Sequence, residues 1–194
     1  MITLSASFRM RLRRWAILGL AGGWLLSVGA FTALADGDGS REERLKAALV
    51  FKLFKFVEWP AAAMPESEPV RLCVLGESAV GDALAGVDGK PVRDRLAQFH
   101  RIASLAPADV KGCHVLYIAA SVREAMGGNG GMPAGLRNFP TLTVSDAPDF
   151  ARHGGMIGLT RSENRLSFEI NLRNAREYGL EPGAPLLEVA TVVE

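Results

Sequence analysis

The sequence predicts an α/β fold, a single compact domain in which a mixed β-sheet is flanked by helices. Three observations carry this. Val70–Leu75 reads as a strand ended by Gly76 and followed by a short helical stretch from Ser78 to Leu84, the order that opens an α/β unit. Val115–Ile118 is a short apolar run between Gly112 and Ser121, which suits a buried strand. Arg165–Ile170 alternates, with Leu166, Phe168 and Ile170 on one face and Arg165, Ser167 and Glu169 on the other, the pattern of a sheet with one wet face.

The chain begins with a different kind of segment. Arg9, Arg11, Arg13 and Arg14 lead into the uncharged run Trp15–Phe31, and Ala33-Leu34-Ala35 before Asp36 has the small-x-small pattern of a signal-peptidase site. Residues 1–35 are therefore expected to be a signal peptide cleaved after Ala35. An uncleaved anchor is the competing reading, but the run is shorter than the roughly 20 residues that span a bilayer and is interrupted by Gly19, Gly22 and Gly23. No cysteine follows the cleavage site to take a lipid, and Trp-Ala-Ile after the paired arginines favours ordinary secretion over the twin-arginine route.

The whole chain has 194 residues, 22 Lys+Arg and 21 Asp+Glu, a balance that excludes a polybasic nucleic-acid binder and an acidic disordered tail. Without the four arginines of the signal, the remainder is mildly acidic and keeps Trp59 as its one tryptophan. Residues 36–40 are expected to be a flexible leader, because DGDGS can bury nothing. Residues 41–194 are expected to form the domain.

Within that domain, Arg41–Trp59 lacks Gly and Pro, has Ser40 as a candidate N-cap with Glu43 three residues on, and is stopped by Pro60; its apolar residues wrap so far around that the helix should be largely buried. Val92–Ala103 reads as one or two strands. Gly127–Gly131 is a glycine-rich loop, which lacks both the P-loop lysine and the Rossmann spacing. Thr141–Val144 and Met156–Thr160 read as strands, with a turn at Pro148–Ala151 between them. A helix is expected from Asn171 through Tyr178, and a final short apolar helix over Pro185–Val193.

The chemistry-bearing residues are few. Cys73 and Cys113 are the only cysteines, and in an exported chain pairing is the default, with two separately buried thiols as the alternative. A metal site is not indicated, since no histidine lies at ligand spacing from either cysteine. Ser145, Asp146 and His153 contain the residue types of a hydrolase, but no nucleophile elbow surrounds the serine, and Ser145-Asp146 reads as a strand-ending turn. Phe51, Phe54, Phe56 and Trp59 fall at core spacing rather than pocket spacing. No cofactor motif is present, and the residues indicate no enzyme. Polar groups on a rigid strand suit specific contacts, so Ser167, Glu169, Asn171 and Arg173 are the candidate partner-binding set.

Five segments together resemble the YfiR-like family of periplasmic repressors: LKAALVFKLFKFVEWP (Leu45–Pro60), RLCVLG (Arg71–Gly76), KGCHVLYIAAS (Lys111–Ser121), LTVSDAPDFARHGGMIGL (Leu142–Leu159) and LSFEINLRNAREYGLEPGAPLLEVATVV (Leu166–Val193). They run in order through nearly all of residues 41–194. The resemblance implies a sheet flanked by helices, a homodimer, and a negative regulator that binds the periplasmic part of an inner-membrane diguanylate cyclase and lowers cyclic di-GMP output. It also implies an outer-membrane OmpA-like lipoprotein that sequesters the repressor. With two cysteines, one bridge is the most this chain can make. The alternative from a different class is a periplasmic small-molecule binding module feeding a membrane sensor such as a histidine kinase.

Overall fold

Three central strands, buried on both faces, organise the molecule. In the computed structural model, which describes residues 37–122, 134–162 and 165–193, β2 (Val70–Leu75), β5 (Val115–Ile118) and β6 (Leu142–Ser145) are buried along almost their whole length. They pair in parallel, with Leu72 opposite Val115 and Val115 opposite Leu142. Such strands must be covered on both faces.

The elements around them follow the chain. Helix α1 (Gly37–Phe56) leads into β1 (Val57–Glu58); α2 (Ala79–Ala85), β3 (Pro91–Val92), β4 (Arg95–Ile102) and α3 (Pro107–Val110) lie between β2 and β5. A 3-10 turn at Ala134–Leu136 precedes β6. Then come β7 (Ile157–Ser162), β8 (Arg165–Asn171), α4 (Leu172–Glu177), β9 (Glu181–Pro182), α5 (Ala184–Leu187) and β10 (Ala190–Val193). The main sheet has the order β10-β8-β7-β6-β5-β2-β4-β3, and β1 and β9 form a separate ribbon. Strands β2, β4, β5, β6 and β7 are parallel; β3 and β8 run antiparallel to their neighbours β4 and β7, and β10 is parallel to β8. This is a mixed-sheet α/β domain, and residues Gly39–Glu194 make one compact unit.

One cover is helical. Val50, Leu53 and Phe54 of α1 and Val80 and Leu84 of α2 pack with Leu72, Val74, Val115, Tyr117, Leu142 and Val144 in the larger core. Phe54 stacks on Trp59 with ring centroids 5.7 Å apart, and Phe51 meets Phe54 edge-on at 6.3 Å, so this aromatic group is core, with only Phe56 left exposed. The other cover is thin. Cys73, Leu75, Leu116 and Ile118 meet Val110, Cys113, Leu136, Ala147 and Phe150, residues of short turns rather than of a long helix. Cys73 and Cys113 are bridged there, their Cα atoms 5.8 Å apart. At Gly155 the chain passes so close to Phe150 that any Cβ would fall inside the ring.

Two polar clusters tie these layers. His114 is buried, its Nδ1 accepting the Arg71 N–H at 2.9 Å and its Nε2 lying 3.1 Å from the Ala63 carbonyl, while its own carbonyl accepts the Trp59 indole N–H at 3.3 Å. These bonds require the proton on Nε2. Burial holds the ring below its ordinary value, the Ala63 bond works against that shift, and the Arg71 and Arg95 charges add to it. In the second cluster the Tyr117 hydroxyl donates to Asp146 at 2.7 Å, and Asp146 accepts Lys46 of α1 at 3.1 Å. Lys46 also pairs with Glu42 at 3.4 Å, and Glu42 with Arg161 at 2.8 Å. Burial opposes the Lys46 charge, but Asp146 and Glu42 outweigh it and hold the ammonium above its usual value. Burial, with Asp146 beside it, pushes the Tyr117 phenol up.

The structure corrects the expected elements in four places. Helix α1 starts at Gly37, so residues 37–40 are helical rather than a leader and Ser40 lies inside the helix; the segment contains no proline to prevent this. The helix stops at Phe56, before Trp59. Glu58 pairs with Glu181 and Val57 with Pro182, and the extended path suits a residue that precedes Pro60. The last helix ends at Leu187, and the β-branched run Thr191-Val192-Val193 is a strand beside β8. Finally, the polar face of β8 is not fully wet: Ser167 and Glu169 are half-buried, because the turn through Ala151 and Arg152 lies against it. The expected 1–35 signal with Ala33, Ala35 and Asp36, and the Gly127–Gly131 loop, lie outside the described residues.

The bridge closes a span of 40 residues, which on a chain-entropy argument stabilises the fold by about 4 kcal/mol. Urea unfolding of the Cys73→Ser/Cys113→Ser variant should show a loss of that order. The sign for His114 follows from its lowered value. The fold favours the neutral ring, so its contribution is full above the unfolded histidine value of about 6.5 and is lost as pH falls through that value toward the folded one. Urea midpoints measured from pH 8 to pH 5 should decline over that window. His114→Ala should lose that component and, with the Arg71 N–H and Ala63 carbonyl unpaired, cost about 2–4 kcal/mol.

Candidate functional site

Open α/β sheets usually take ligands where the order of strands reverses, outside the carboxyl ends of the strands. Here the reversal lies between β2 and β5, where Gly76 ends β2 and packs closely against the segment after β5. A Cβ on Gly76, which has φ +85°, would meet Val122 at 2.8 Å and Ala119 at 3.2 Å. Ser78 beside it is spent on capping α2, accepting the Gly81 N–H at 3.0 Å.

The hydrolase-type residues are likewise engaged apart from one another. Ser145 is buried and accepts the Ala147 N–H at 3.0 Å, as the strand-ending turn requires. Asp146 belongs to the Tyr117–Lys46 cluster. His153 is exposed, its Nδ1 lying 2.8 Å from the Asp149 carbonyl. Among the described residues no group of three His, Cys, Asp or Glu is placed to hold a metal, and no helix is long and apolar enough to cross a membrane.

Of the four residues singled out from the sequence, Asn171 and Arg173 lie at the corner where β8 passes into α4, while Ser167 and Glu169 lie along β8, and they do different work. Asn171 is buried; its carbonyl oxygen accepts the Asn174 N–H at 2.9 Å, capping α4, and its Nδ2 donates to the Ala151 carbonyl at 3.0 Å. The Asn174 side chain adds a bond to the Gly154 carbonyl at 2.9 Å, so two asparagines clip the corner to the 151–154 turn. Glu169 is held by Arg152, which approaches one carboxylate oxygen through Nε at 3.0 Å and Nη2 at 2.6 Å. Ser167 faces Thr160 across the β7–β8 ladder. Arg173 alone is exposed.

Arg173 opens onto a shallow trough of about 550 Å³ that it lines with Leu172, Arg176, Glu177, Val192 and Val193. Arg176 is paired with Glu181 at 3.4 Å. The far wall is β10, which among the described residues is the edge strand of the main sheet. Val192 is 48 % exposed on it, and Val189 just before it 62 %. An edge strand with free backbone groups and exposed valines is a template for a second chain. The sequence reading missed both valines because it placed them in a helix; the β-branched run at 191–193 was the available signal.

The fold and this corner define an α/β domain held by one disulfide, with an open apolar sheet edge beside an exposed arginine. Residues 43–191 match the YfiR/HmsC-like family, and the chain belongs to that family. No curated protein matches it.

Asn171→Ala removes the α4 cap and leaves the Ala151 carbonyl unpaired, so it should cost about 2 kcal/mol in urea unfolding.

Proposed function

We propose that this protein is an exported, periplasmic negative regulator that binds the periplasmic part of an inner-membrane diguanylate cyclase and lowers its cyclic di-GMP output without itself catalysing a reaction. The observation that carries this reading is the family match, which covers residues 43–191, from inside α1 to β10. In it, residues 1–35 are an export signal cleaved between Ala35 and Asp36. An OmpA-like outer-membrane lipoprotein competes for the repressor, and the working form is a homodimer.

The physical requirement on such a protein is modest. It must bind one conformation of the cyclase better than the other, and its effect is limited to that difference in affinity. A rigid domain with an open edge meets the requirement. We assign the contact to the α4–β10 corner: Val189 and Val192 supply apolar area, the β10 edge supplies backbone groups, and Arg173 with Ser167 supplies specificity. Asn171 and Glu169 act behind them by fixing where α4 starts and how β8 lies.

Deleting the gene should raise cellular cyclic di-GMP and surface attachment, and the parent gene should restore both. Val192→Asp and Arg173→Glu, each expressed and folded as judged by circular dichroism, should fail to restore them. Cyclic di-GMP that does not change on deletion overturns the reading.

A further inference from the structure

The opposite edge of the sheet carries a second surface of different chemistry. Strand β4 is buried on one face through Ala97, with Phe99 half-buried against the larger core. Its other face is bare: Leu96 is 57 % exposed, and Gln98 and His100 are exposed with it. The central strands β2 and β5 have this face covered by the thin second layer, which does not extend over the first part of β4.

The bare face is the floor of an open trough of about 780 Å³, walled by the 66–69 segment ahead of β2 and by the turns at 88–89 and 94. Four carboxylates stand on its walls: Glu66, Glu68, Asp88 and Asp94. Asp88 accepts the Phe99 N–H at 2.9 Å and stays exposed. Glu66, Glu68 and Asp94 are exposed and have no ion-pair partner among the described residues. The one cation of the lining, Arg95, donates Nη2 to the Met64 carbonyl at 3.1 Å, and its Nη1 is buried. A floor that exposes Leu96 beside Gln98 and His100, set between acidic walls, is complementary to a cationic segment that also carries an apolar side chain.

We propose that this trough docks a short Lys/Arg-rich segment of a partner protein, laid along β4 with an apolar side chain on Leu96. From Leu96 to His100 the strand runs about 13 Å, the span of about four extended residues, so recognition is of a short linear stretch. Exposed carboxylates act at long range and are screened by salt, so docking is fast and salt-sensitive. Strand β10 and the β4–β3 hairpin lie at opposite ends of the sheet order, so an occupant here leaves the α4–β10 corner accessible. This assignment stands independently of the proposed function.

The probe is the peptide Lys-Val-Lys-Val-Lys-Val-Lys, fluorescently labelled and titrated with the full chain, with its Glu-Val counterpart and spermine as controls. The expected result is saturable one-to-one binding that weakens at least tenfold in Glu66→Gln/Asp94→Asn and in Leu96→Ser. It should also weaken at least tenfold between 50 and 200 mM salt and be unchanged in Arg173→Glu, while the Glu-Val peptide does not bind. Circular dichroism confirms that each variant is folded, and Leu96→Ser alone decides if the double variant is not. No saturable binding, equal affinity in the folded variants, or competition by spermine as strong as by the peptide each overturns the proposal, the last by reducing the trough to a diffuse cation attractor.

Discussion

Strands that are buried on both faces leave a protein no choice about layers. β2, β5 and β6 are of this kind, the hydroxyls of Thr143 and Ser145 being satisfied by the Met156 and Ala147 N–H groups, and each buried Val, Leu or Ile side chain contributes about 1.5–3 kcal/mol only if water is excluded from both sides of the sheet. Every other feature follows from meeting that demand. Helix α1 and the α2 crossover cover one side with ordinary helical packing. The other side is covered by short turns around Val110, Leu136, Ala147 and Phe150, which carry little intrinsic stability of their own, and the Cys73–Cys113 bridge ties that cover to the central strand.

The cover is then fixed in place by buried polar groups rather than by more apolar area. His114 joins β2, β5, Trp59 and the loop at Ala63 through its ring and its carbonyl, so a single neutral imidazole sets where the connection after α1 lies. Tyr117, Asp146 and Lys46 do the same for the middle of α1 over the carboxyl ends of β5 and β6. A partly satisfied network of this kind would cost more than an apolar substitute, whereas a satisfied one specifies a unique docking. Where the strand order reverses, Val122 and Ala119 pack against Gly76, and both edges of the sheet expose side chains. One edge is apolar and lies beside an arginine; the other is bare and acidic. A domain of that form is suited to holding macromolecular partners by their surfaces.

Much of this was legible in the chain. The α/β class, the strands at 70–75, 115–118 and 142–145 and the helix at α4 follow from local patterns that tertiary contacts reinforce. The failures share a cause. Pro185–Val193 is an apolar run whose periodicity does not separate helix from strand; its start is helical, and Ala190–Val193 becomes a strand because β8 offers an edge at the register Ala190 to Phe168. Trp59 leaves the helix because its ring stacks on Phe54 and its N–H gains the carbonyl of His114, a partner 55 residues away in sequence. At the candidate site, Arg173 was readable as an exposed polar residue. Asn171 was misread as an outward contact because strand alternation cannot reveal that the Ala151 carbonyl, 20 residues earlier, comes back to meet it.

The sequence by itself determined the layered class of the fold, the pair of thiols available for a bridge and the family, because these depend on residue type and local order. Only the tertiary structure decided that the thiols meet, that the final segment pairs as an edge strand, and that four carboxylates from three separate segments converge around the bare face of β4. Those outcomes depend on which distant groups come within a few ångströms of one another, and no local pattern carries that information.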